Sequence, residues 1–486
     1  MKDTKPTFME AQLEQPNFKE PLFDYQLWVS HWMAESKRVI NADAPGVGKT
    51  LEALAAAELL GGRTVVLTIS AVINEWKDTI KRFLPSDTKV VVIEGSKTQR
   101  LAKYDYFQAL DKAILLTTYS AILHDDKAFK SLKATTLILD EATAVKNPET
   151  KAYSLLDAVT ENYTAVFPLT GTPLTLSLAD VFWIAKLARV DIPLDYDEDV
   201  AQYLDTSVVR AKGTLYTKVN GASTTLPLRH KLEPAMVSRA LNDVSEELPD
   251  LNFEIVPLLF SEEQEQAFKA LKIKANQQAR EGKYRPLRIY QDFLQTASSP
   301  RLIFKDFSGR SPKEDFLLSF VQTHDKTVVY VKYIEFLKIL QEGLKSKGIG
   351  SVAISGSQTN DERANAKLSF ETQDSVKVMF ITGAGRYGLN LQVASSFVFI
   401  DLPNSPADVI QYFNRVYRTG QMKDVTVYLA FMEYTVEEDI FRKLYSRQSA
   451  LDEFMSTSLS SLYRRDSSYT WGFLEKDYAS YRQSKR

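Results

Sequence analysis

Asp43-Ala44-Pro45-Gly46-Val47-Gly48-Lys49-Thr50 runs into the helical stretch Lys49 to Leu60, which Gly61-Gly62 stops before the apolar run Thr64 to Ile69. Gly46 and Gly48 let the backbone turn, so the N–H groups of the Pro45 to Lys49 loop can point at phosphate oxygens. The helix beginning near Lys49 adds its positive end. Lys49 is placed to put a point charge on the β- and γ-phosphates of a nucleotide, and the Thr50 hydroxyl can reach Mg²⁺. Asp43 stands where the usual GxxxxGK pattern has its leading glycine, but the residues that touch phosphate are intact. A phosphate loop between a strand and a helix predicts an α/β sheet.

Outward from this loop, residues 49 to 190 alternate β-rich runs with helical segments, the pattern of a parallel sheet covered by helices. Expected strands are Thr64 to Ile69, Val90 to Ile93, Ala113 to Thr118, Thr136 to Leu139 and Ala165 to Leu169. Expected helices are Lys49 to Leu60, Val72 to Phe83 and Thr150 to Glu161. The alternation breaks at Asp191. From there to Pro249 the spacing predicts an insertion carrying a hairpin, with arms Leu215 to Val219 and Ala222 to Leu226 around Asn220-Gly221. It resumes with a strand at Thr327 to Val331, a helix Ile334 to Lys347, a strand Ser351 to Ser355, a helix Asp361 to Phe370 and strands Val376 to Ile381 and Phe397 to Asp401. A second α/β lobe is therefore expected, and no short tandem repeat is visible. The division expected is an N-terminal lobe over residues 1–245 with its insertion at about 191–245, a helical bridge and second lobe over 246–455, and a tail over 456–486.

Composition excludes several classes. The 486 residues are 44% hydrophobic and 25% charged, ordinary globular usage that sets disorder aside. There is no cysteine, hence no disulfide, thiol nucleophile or cysteine zinc site. His31, His124, His230 and His324 lack ligand spacing, so a metal site made of protein ligands alone is not expected. No apolar run approaches the ~20 residues that span a bilayer, which excludes a membrane partner and makes the cytoplasm the default location, with the nucleus left open. Net charge is -2 with a pI near 6.2, so contact with a polyanion must be local. The densest basic stretch is Lys272, Lys274, Arg280, Lys283, Arg285 and Arg288, with Tyr284 and Tyr290 interleaved. It reads either as a phosphate-backbone contact or as the solvated face of a polar helix.

Two further constellations carry chemistry. Asp140-Glu141 ends the run Thr136 to Leu139, at the carboxyl end of an expected strand, where open α/β sheets bind ligands. Asp140 can hold Mg²⁺ through water, and Glu141 can orient and deprotonate an attacking water. Gln411 to Gln421 places Arg415 and Arg418 three apart, on one face of an expected helix, as cations for charge developing on a γ-phosphate. A phosphate loop and an arginine pair so far apart in sequence suggest a nucleotide clamped between two lobes.

These residues resemble the Swi/Snf-type ATPases of helicase superfamily two, over about Leu22 to Leu451 and in family order. Tyr25-Gln26 resembles the glutamine motif that reads adenine, and Asp43 to Thr50 the family's phosphate loop. Trp76 fits the tryptophan after motif Ia, Thr118-Tyr119 motif Ib, and Asp140 to Asn147 motif II with its Lys-Asn extension. Leu169-Thr170-Gly171-Thr172-Pro173 resembles motif III, in which Thr170 and Thr172 would couple nucleotide to nucleic acid. Arg239, Leu248-Pro249 and Gln264 resemble the bridge between lobes, and Gly356-Ser357 with Arg363 the turn after motif IV. Thr382, Gly388, Asn390 and Leu391 fit motif V; Gln411, Arg415, Arg418, Gly420 and Gln421 fit motif VI. Thr143 replaces the usual histidine of motif II, Arg386 a glycine of motif V, and Ser299 the histidine of a His-Pro pair.

The resemblance implies two RecA-like lobes with ATP and Mg²⁺ in the cleft between them. Gln26, Pro45, Gly46, Val47, Gly48, Lys49, Thr50, Asp140, Gly388 and Gln411 would bind nucleotide, with Thr50 and Asp140 on the metal and Lys49, Glu141, Arg415 and Arg418 in catalysis. It also implies movement along double-stranded DNA, with strand contacts at Thr118, Lys146, Ser357, Thr382 and Arg386. A strand-separating or annealing motor on forked DNA, single strands or RNA stays open, as does an ATP-switched scaffold that docks a protein through Tyr463 to Arg486. No accessory domain is recognisable, so a bare monomeric motor is expected, of bacterial, archaeal or viral kind.

Overall fold

The β-branched runs that alternate with helices form the strands of two parallel sheets. The computed structural model describes residues 13–171, 179–192, 198, 204–211, 214–222, 231–239, 244, 249–281, 285–356, 358–383, 389–418 and 420–444. These fall into two compact units, divided in sequence between Glu246 and Glu247.

The first unit contains α1 (Asp24–Ser36), β1 (Ile40–Asn41), α2 (Lys49–Leu60), β2 (Arg63–Thr68), α3 (Ile73–Phe83), β3 (Val90–Val92), α4 (Lys97–Gln108), β4 (Ala113–Thr118), α5 (Tyr119–His124), α6 (Asp126–Lys130), β5 (Thr136–Asp140), α7 (Lys151–Asp157), β6 (Ala165–Leu169), α8 (Ala179–Ala188), β7 (Leu204–Ala211), β8 (Thr214–Ala222) and β9 (Met236–Val237). Its sheet has the order β3-β4-β2-β5-β6-β1-β9, with every pairing parallel. Parallel strands need both faces covered, and the side-chain alternation shows that they are. Val65, Leu67, Leu137 and Leu139 pack with Tyr104 and Phe107 in one core, while Val66, Ile138 and Phe167 pack with Trp76 and Ala53 in another. Burying side chains of this size stabilises by about 1.5–3 kcal/mol each.

The second unit contains β10 (Leu251–Leu258), α9 (Glu262–Arg280), α10 (Pro286–Ser298), α11 (Pro312–Thr323), β11 (Thr327–Tyr330), α12 (Ile334–Ser346), β12 (Gly350–Ile354), α13 (Asn360–Thr372), β13 (Val376–Ile381), β14 (Ser396–Phe399), α14 (Pro406–Phe413) and β15 (Val425–Met432). Its sheet runs β10-β15-β14-β11-β13-β12, again parallel throughout. Val329, Val378, Phe380 and Val398 pack under α11 and α12 through Leu317, Val321, Phe336 and Leu340. Each unit is thus the α/β lobe that the alternation predicts.

Some expectations are corrected. The hairpin in the insertion exists, but its arms are β7 and β8, and Asn220-Gly221 lies inside β8 rather than at the turn. Asp205 faces Gly221 and Thr206 faces Val219, so Asn220 is the extra residue of an irregularity in the ladder. Asn-Gly favours a bulge as readily as a turn, because both need backbone freedom that few residues offer. Residues 223–226 of the expected second arm lie outside the described residues. The helix expected at Thr150 to Glu161 is α7 followed by a separate 3₁₀ turn at Thr160–Asn162. Among the described residues five strands are not expected from the sequence: β1 and β9 are two residues each, β7 precedes the expected hairpin, β10 carries Pro257, and β15 follows a stretch of turns. Pro257 is tolerated because β10 is an edge strand.

Candidate nucleotide-binding site

In an all-parallel sheet every strand delivers its last residue to the same edge, and the first unit gathers its polar side chains there. Asp43 follows β1, Thr68 ends β2, Thr118 ends β4, Asp140 ends β5, Thr170 follows β6 and Arg239 follows β9. The phosphate loop crosses this edge from β1 to α2. Gly48 has φ 113°, and a Cβ there would come within 2.2 Å of the Gln26 amide nitrogen. Only glycine fits.

The loop is held from three sides. The Gln26 amide and the Tyr25 hydroxyl both donate to the Val47 carbonyl, at 3.2 and 3.0 Å. Gln26 is thereby placed against the loop, on helix α1. Pro45 packs against Gly171, where a Cβ would sit 2.7 Å from Pro45 Cγ, and the Thr170 amide donates to Asn41 at 3.0 Å. The Leu169–Gly171 segment is therefore in contact with the phosphate loop through Gly171 and Pro45. Thr172 lies outside the described residues.

The third side is a buried charge cluster. Asp43, Glu52 and Asn41 are 0% exposed and Arg239 is 6% exposed. The Arg239 guanidinium forks onto the Asp43 carboxylate, with Nε at 3.2 and 3.0 Å from its two oxygens and Nη2 also on Oδ2. The same Nη2 donates to Glu52 at 2.6 Å, Nη1 donates to the Tyr25 carbonyl at 2.9 Å, and the guanidinium lies over the Tyr25 ring. The Arg239 backbone amide adds a bond of 2.7 Å to Asp43, and the Ala44 amide returns one of 2.8 Å to the Arg239 carbonyl. Asn41 completes the set by donating to Glu52 at 2.6 Å and accepting from the Asp43 amide at 3.1 Å. The acid in place of the leading glycine thus anchors the loop to the strand that follows the insertion. Arg239, read from the sequence as part of a bridge between lobes, sits within the first unit, whereas Gln264 lies in the second, donating to Thr296 and Ala297 carbonyls.

Lys49 donates to the carbonyls of Asp43 at 2.8 Å and Ala44 at 3.1 Å. Burial lowers its pKa, against the raising influence of Asp43, Glu141, Glu52 and Asp140. Lys49, Asp140 and Glu141 therefore share one electrostatic neighbourhood. Asp140 is 9% exposed; its Oδ2 accepts from Thr68 Oγ1 and from the Trp76 indole, both at 2.7 Å, and its carbonyl accepts from the Tyr119 hydroxyl at 2.8 Å. Burial raises the Asp140 pKa while the Trp76 and Thr68 bonds lower it. Glu141 adopts φ 50°, ψ 51°, a left-handed conformation that is costly for a residue with a side chain. Left-handed turns of this kind concentrate at working sites. A left-handed glycine loop, a lysine, a threonine after it and two acids make a donor set that fits nucleotide phosphates with Mg²⁺, for which Thr50 and Asp140 are the ligands on offer.

Positions assigned to nucleic acid are spread over both units. Thr118 caps α5 by accepting from the Ala121 amide, and Lys146 is paired with Asp180 at 2.7 Å. Thr382, just past β13, is buried and donates its amide to Ile354 at 3.1 Å. Ser357, Arg386 and Gly388 lie outside the described residues. Lys272, Lys274, Arg280, Arg285, Arg288 and Tyr290 are exposed on and beside α9 and α10, together with Ile273 and Leu287.

The spacing predicts Arg415 and Arg418 on one face of a helix, but both lie beyond its end. Helix α14 stops at Phe413, and the chain continues in tight turns in which Val416 and Tyr417 both donate to the Phe413 carbonyl. Arg415 is pinned there: its carbonyl accepts from Leu391 at 2.8 Å and its Nε donates to the Gln411 carbonyl at 3.2 Å. Gln411 itself is buried. The Gln421 amide fastens the end of the turn with donations to Gln392, Ala394 and Val416 carbonyls at 3.0, 3.0 and 3.1 Å. Ser299, in place of the family's histidine, donates to Glu314 at 3.0 Å.

Residues 25–307 match the SNF2-related domain, and residues 312–420 match the helicase conserved C-terminal domain. The chain belongs to the SNF2-related family. The SNF2-related match runs past the division between the units and takes in β10, α9 and α10. The chain is 27% identical over 468 residues to the Chromodomain-helicase-DNA-binding protein 1-like of Danio rerio, covering 90% of this chain and 44% of that one. It is 25% identical over 459 residues to the human SWI/SNF-related matrix-associated actin-dependent regulator of chromatin subfamily A member 1, covering 87% and 42%. It thus spans about half or less of the length of the curated relatives it matches. A solved Sulfolobus solfataricus SWI2/SNF2 ATPase core in complex with dsDNA is 22% identical, with 93% of this chain and 97% of that chain covered and a TM-score of 0.43. Among the described residues no helix is long and apolar enough to cross a membrane.

Proposed function

We propose that this chain hydrolyses ATP with Mg²⁺ and uses the cycle to move along double-stranded DNA through phosphate-backbone contacts, acting as a monomer. The observation that carries the reading is the meeting of Lys49, Asp140 and Glu141 at the carboxyl edge of one parallel sheet, beside a glycine loop held by Gln26, Tyr25 and Arg239. Lys49 leaves the Asp43 and Ala44 carbonyls for phosphate oxygens, and Glu141 takes the proton of the attacking water. Thr50 and Asp140 would hold Mg²⁺, which would supply positive charge against the phosphates. Arg415 and Arg418 act on charge that develops in the transition state, so Arg415→Ala lowers turnover far more than ATP affinity. The duplex substrate is argued from the family and from relatives whose names include DNA binding and chromatin regulation.

The test is steady-state ATPase without polymer and with blunt duplex DNA, single-stranded DNA or duplex RNA, beside a Glu141→Gln control. Strong stimulation by blunt duplex supports the translocase. Stimulation by single strands or forks alone replaces it with a strand-separating motor, and none by any polymer replaces it with a partner-driven switch. Turnover at the wild-type rate in Glu141→Gln overturns the site.

A further inference from the structure

We propose that Trp76 and Thr68 are positioning residues for Asp140, locking its carboxylate plane so that Oδ1 is the oxygen presented to Mg²⁺. The proposal rests on the reading of Asp140 as the metal-side acid. Both donors land on the same oxygen, Oδ2, at 2.7 Å, and neither uses Oδ1. A carboxylate's terminal torsion is otherwise broad, so two fixed donors on one oxygen set the plane. The donors are themselves immobile. Trp76 is 1% exposed within the core that holds Val66 and Ile138, and Thr68 is the last residue of β2, 0% exposed. The indole N–H can only donate, so it holds Oδ2 as the accepting oxygen and leaves Oδ1 as the other face of the group. Tyr119 fixes the other end of the residue through the Asp140 carbonyl. The arrangement matches the general case of a metal ligand oriented by outer hydrogen bonds, whose loss costs 10- to 100-fold in metal affinity.

The experiment is calorimetric titration of ADP, without metal and at increasing Mg²⁺, into wild type, Trp76→Phe, Thr68→Val and Asp140→Asn. Val keeps the shape of Thr, while Phe keeps an aromatic ring but leaves a cavity, so the affinity for metal-free ADP serves as the control for packing. The expected result is an unchanged affinity for metal-free ADP and about a tenfold rise in the Mg²⁺ needed for half-maximal enhancement in each of the two donor variants. Wild-type Mg²⁺ dependence in both, with Asp140→Asn impaired, overturns the positioning role alone. Equal weakening of metal-free ADP assigns the residues to packing and also overturns it. Wild-type Mg²⁺ dependence in Asp140→Asn instead removes the metal-side reading of Asp140 itself.

Discussion

Each unit buries one base between two acids at the carboxyl edge of its sheet, and the two clusters are built differently. In the first, Arg239 meets Asp43 and Glu52; in the second, Lys313 from α11 meets Asp401, just past β14, at 3.1 Å and Glu437, past β15, at 2.7 Å. Lys313 is a point charge sealed at 0% exposure, and its partners spend their other bonds on neighbours: Asp401 on Ser298 and the Lys332 amide, Glu437 on the Met432 amide. That cluster closes an edge by tying α10, α11 and three strand ends together. Arg239 instead uses a planar fork, and a partner of that fork, Asp43, belongs to a loop whose next task is to hold a ligand. The same charge count can fasten a core or preset a loop, depending on where the acids lie in the chain.

Removing the bases should separate these roles most sharply. Arg239→Ala and Lys313→Ala each strand two buried carboxylates, at a cost of about 3–5 kcal/mol. Both are expected to lower the urea midpoint. Among molecules that remain folded, only Arg239→Ala is expected to lose ATP binding, measured by equilibrium dialysis below the midpoint. Loss of ATP binding in both variants, or in neither, would erase the distinction.

Next in size is a pH effect. Burial pushes Glu52 up to about 7, against the pull of Arg239 and Asn41 and with the help of the Asp43 charge. The native carboxyl then keeps its proton up to about 7, while the unfolded one loses it near 4.5. The native state binds more protons across that window, so this contribution is complete below 4.5 and is lost as pH rises through 7. It amounts to something on the order of 3 kcal/mol. Burial moves Glu437 in the same direction. Urea midpoints taken at pH 5 and pH 8 are expected to fall for wild type and to be flatter for Glu52→Gln. Parallel slopes would mean that Arg239 holds Glu52 ionised throughout.

A smaller effect probes the loop directly. Gly48→Ala asks an L-residue to adopt φ 113° with its Cβ against Gln26, at a cost of about 1–2 kcal/mol in backbone strain alone. The expected outcome is weaker ATP binding with little change in the melting of the second unit, read by calorimetry. Unchanged ATP affinity would show that the loop tolerates a shift and that Arg239 presets nothing.

Much of this was legible in the sequence, for physical reasons that can be named. Helix α2 was readable to the residue because glycines bracket it, and β4, β6 and β13 because unbroken β-branched and apolar runs mark strands buried on both faces. The place of Asp140 at the end of β5 and of Lys49 at the start of α2 is legible because an apolar run leads into the first and a glycine loop into the second. What escaped depends on contacts distant in sequence. Nothing near Arg239 shows that it will meet Asp43, 196 residues earlier. A lone acid, Glu52, on the apolar face of α2 was the available hint, since a buried carboxylate requires a partner. The Arg415 turn escaped because helical spacing continues past Phe413, while hydrogen bonds from Leu391 and Gln421 end the helix there.

The smallest effect, and the finest test of the comparison, is Arg239→Lys. A lysine keeps the charge, so Asp43 and Glu52 stay compensated and the first unit should fold with a modest loss. What a lysine cannot keep is the fork: one ammonium cannot reach both Asp43 oxygens, Glu52 and the Tyr25 carbonyl at once, and it forfeits the flat stack on Tyr25. Asp43 then loses its fixed orientation, and with it the carbonyl that Lys49 uses. If the fork presets the loop, the variant weakens ATP binding by about tenfold, roughly 1.4 kcal/mol, while turnover at saturating ATP stays close to wild type, because bound nucleotide draws Lys49 off the Asp43 carbonyl in any case and Glu141 and Arg415 are unaltered. If charge compensation is all that Arg239 supplies, KM is unchanged, and the first cluster becomes a core fastener of the same kind as Lys313.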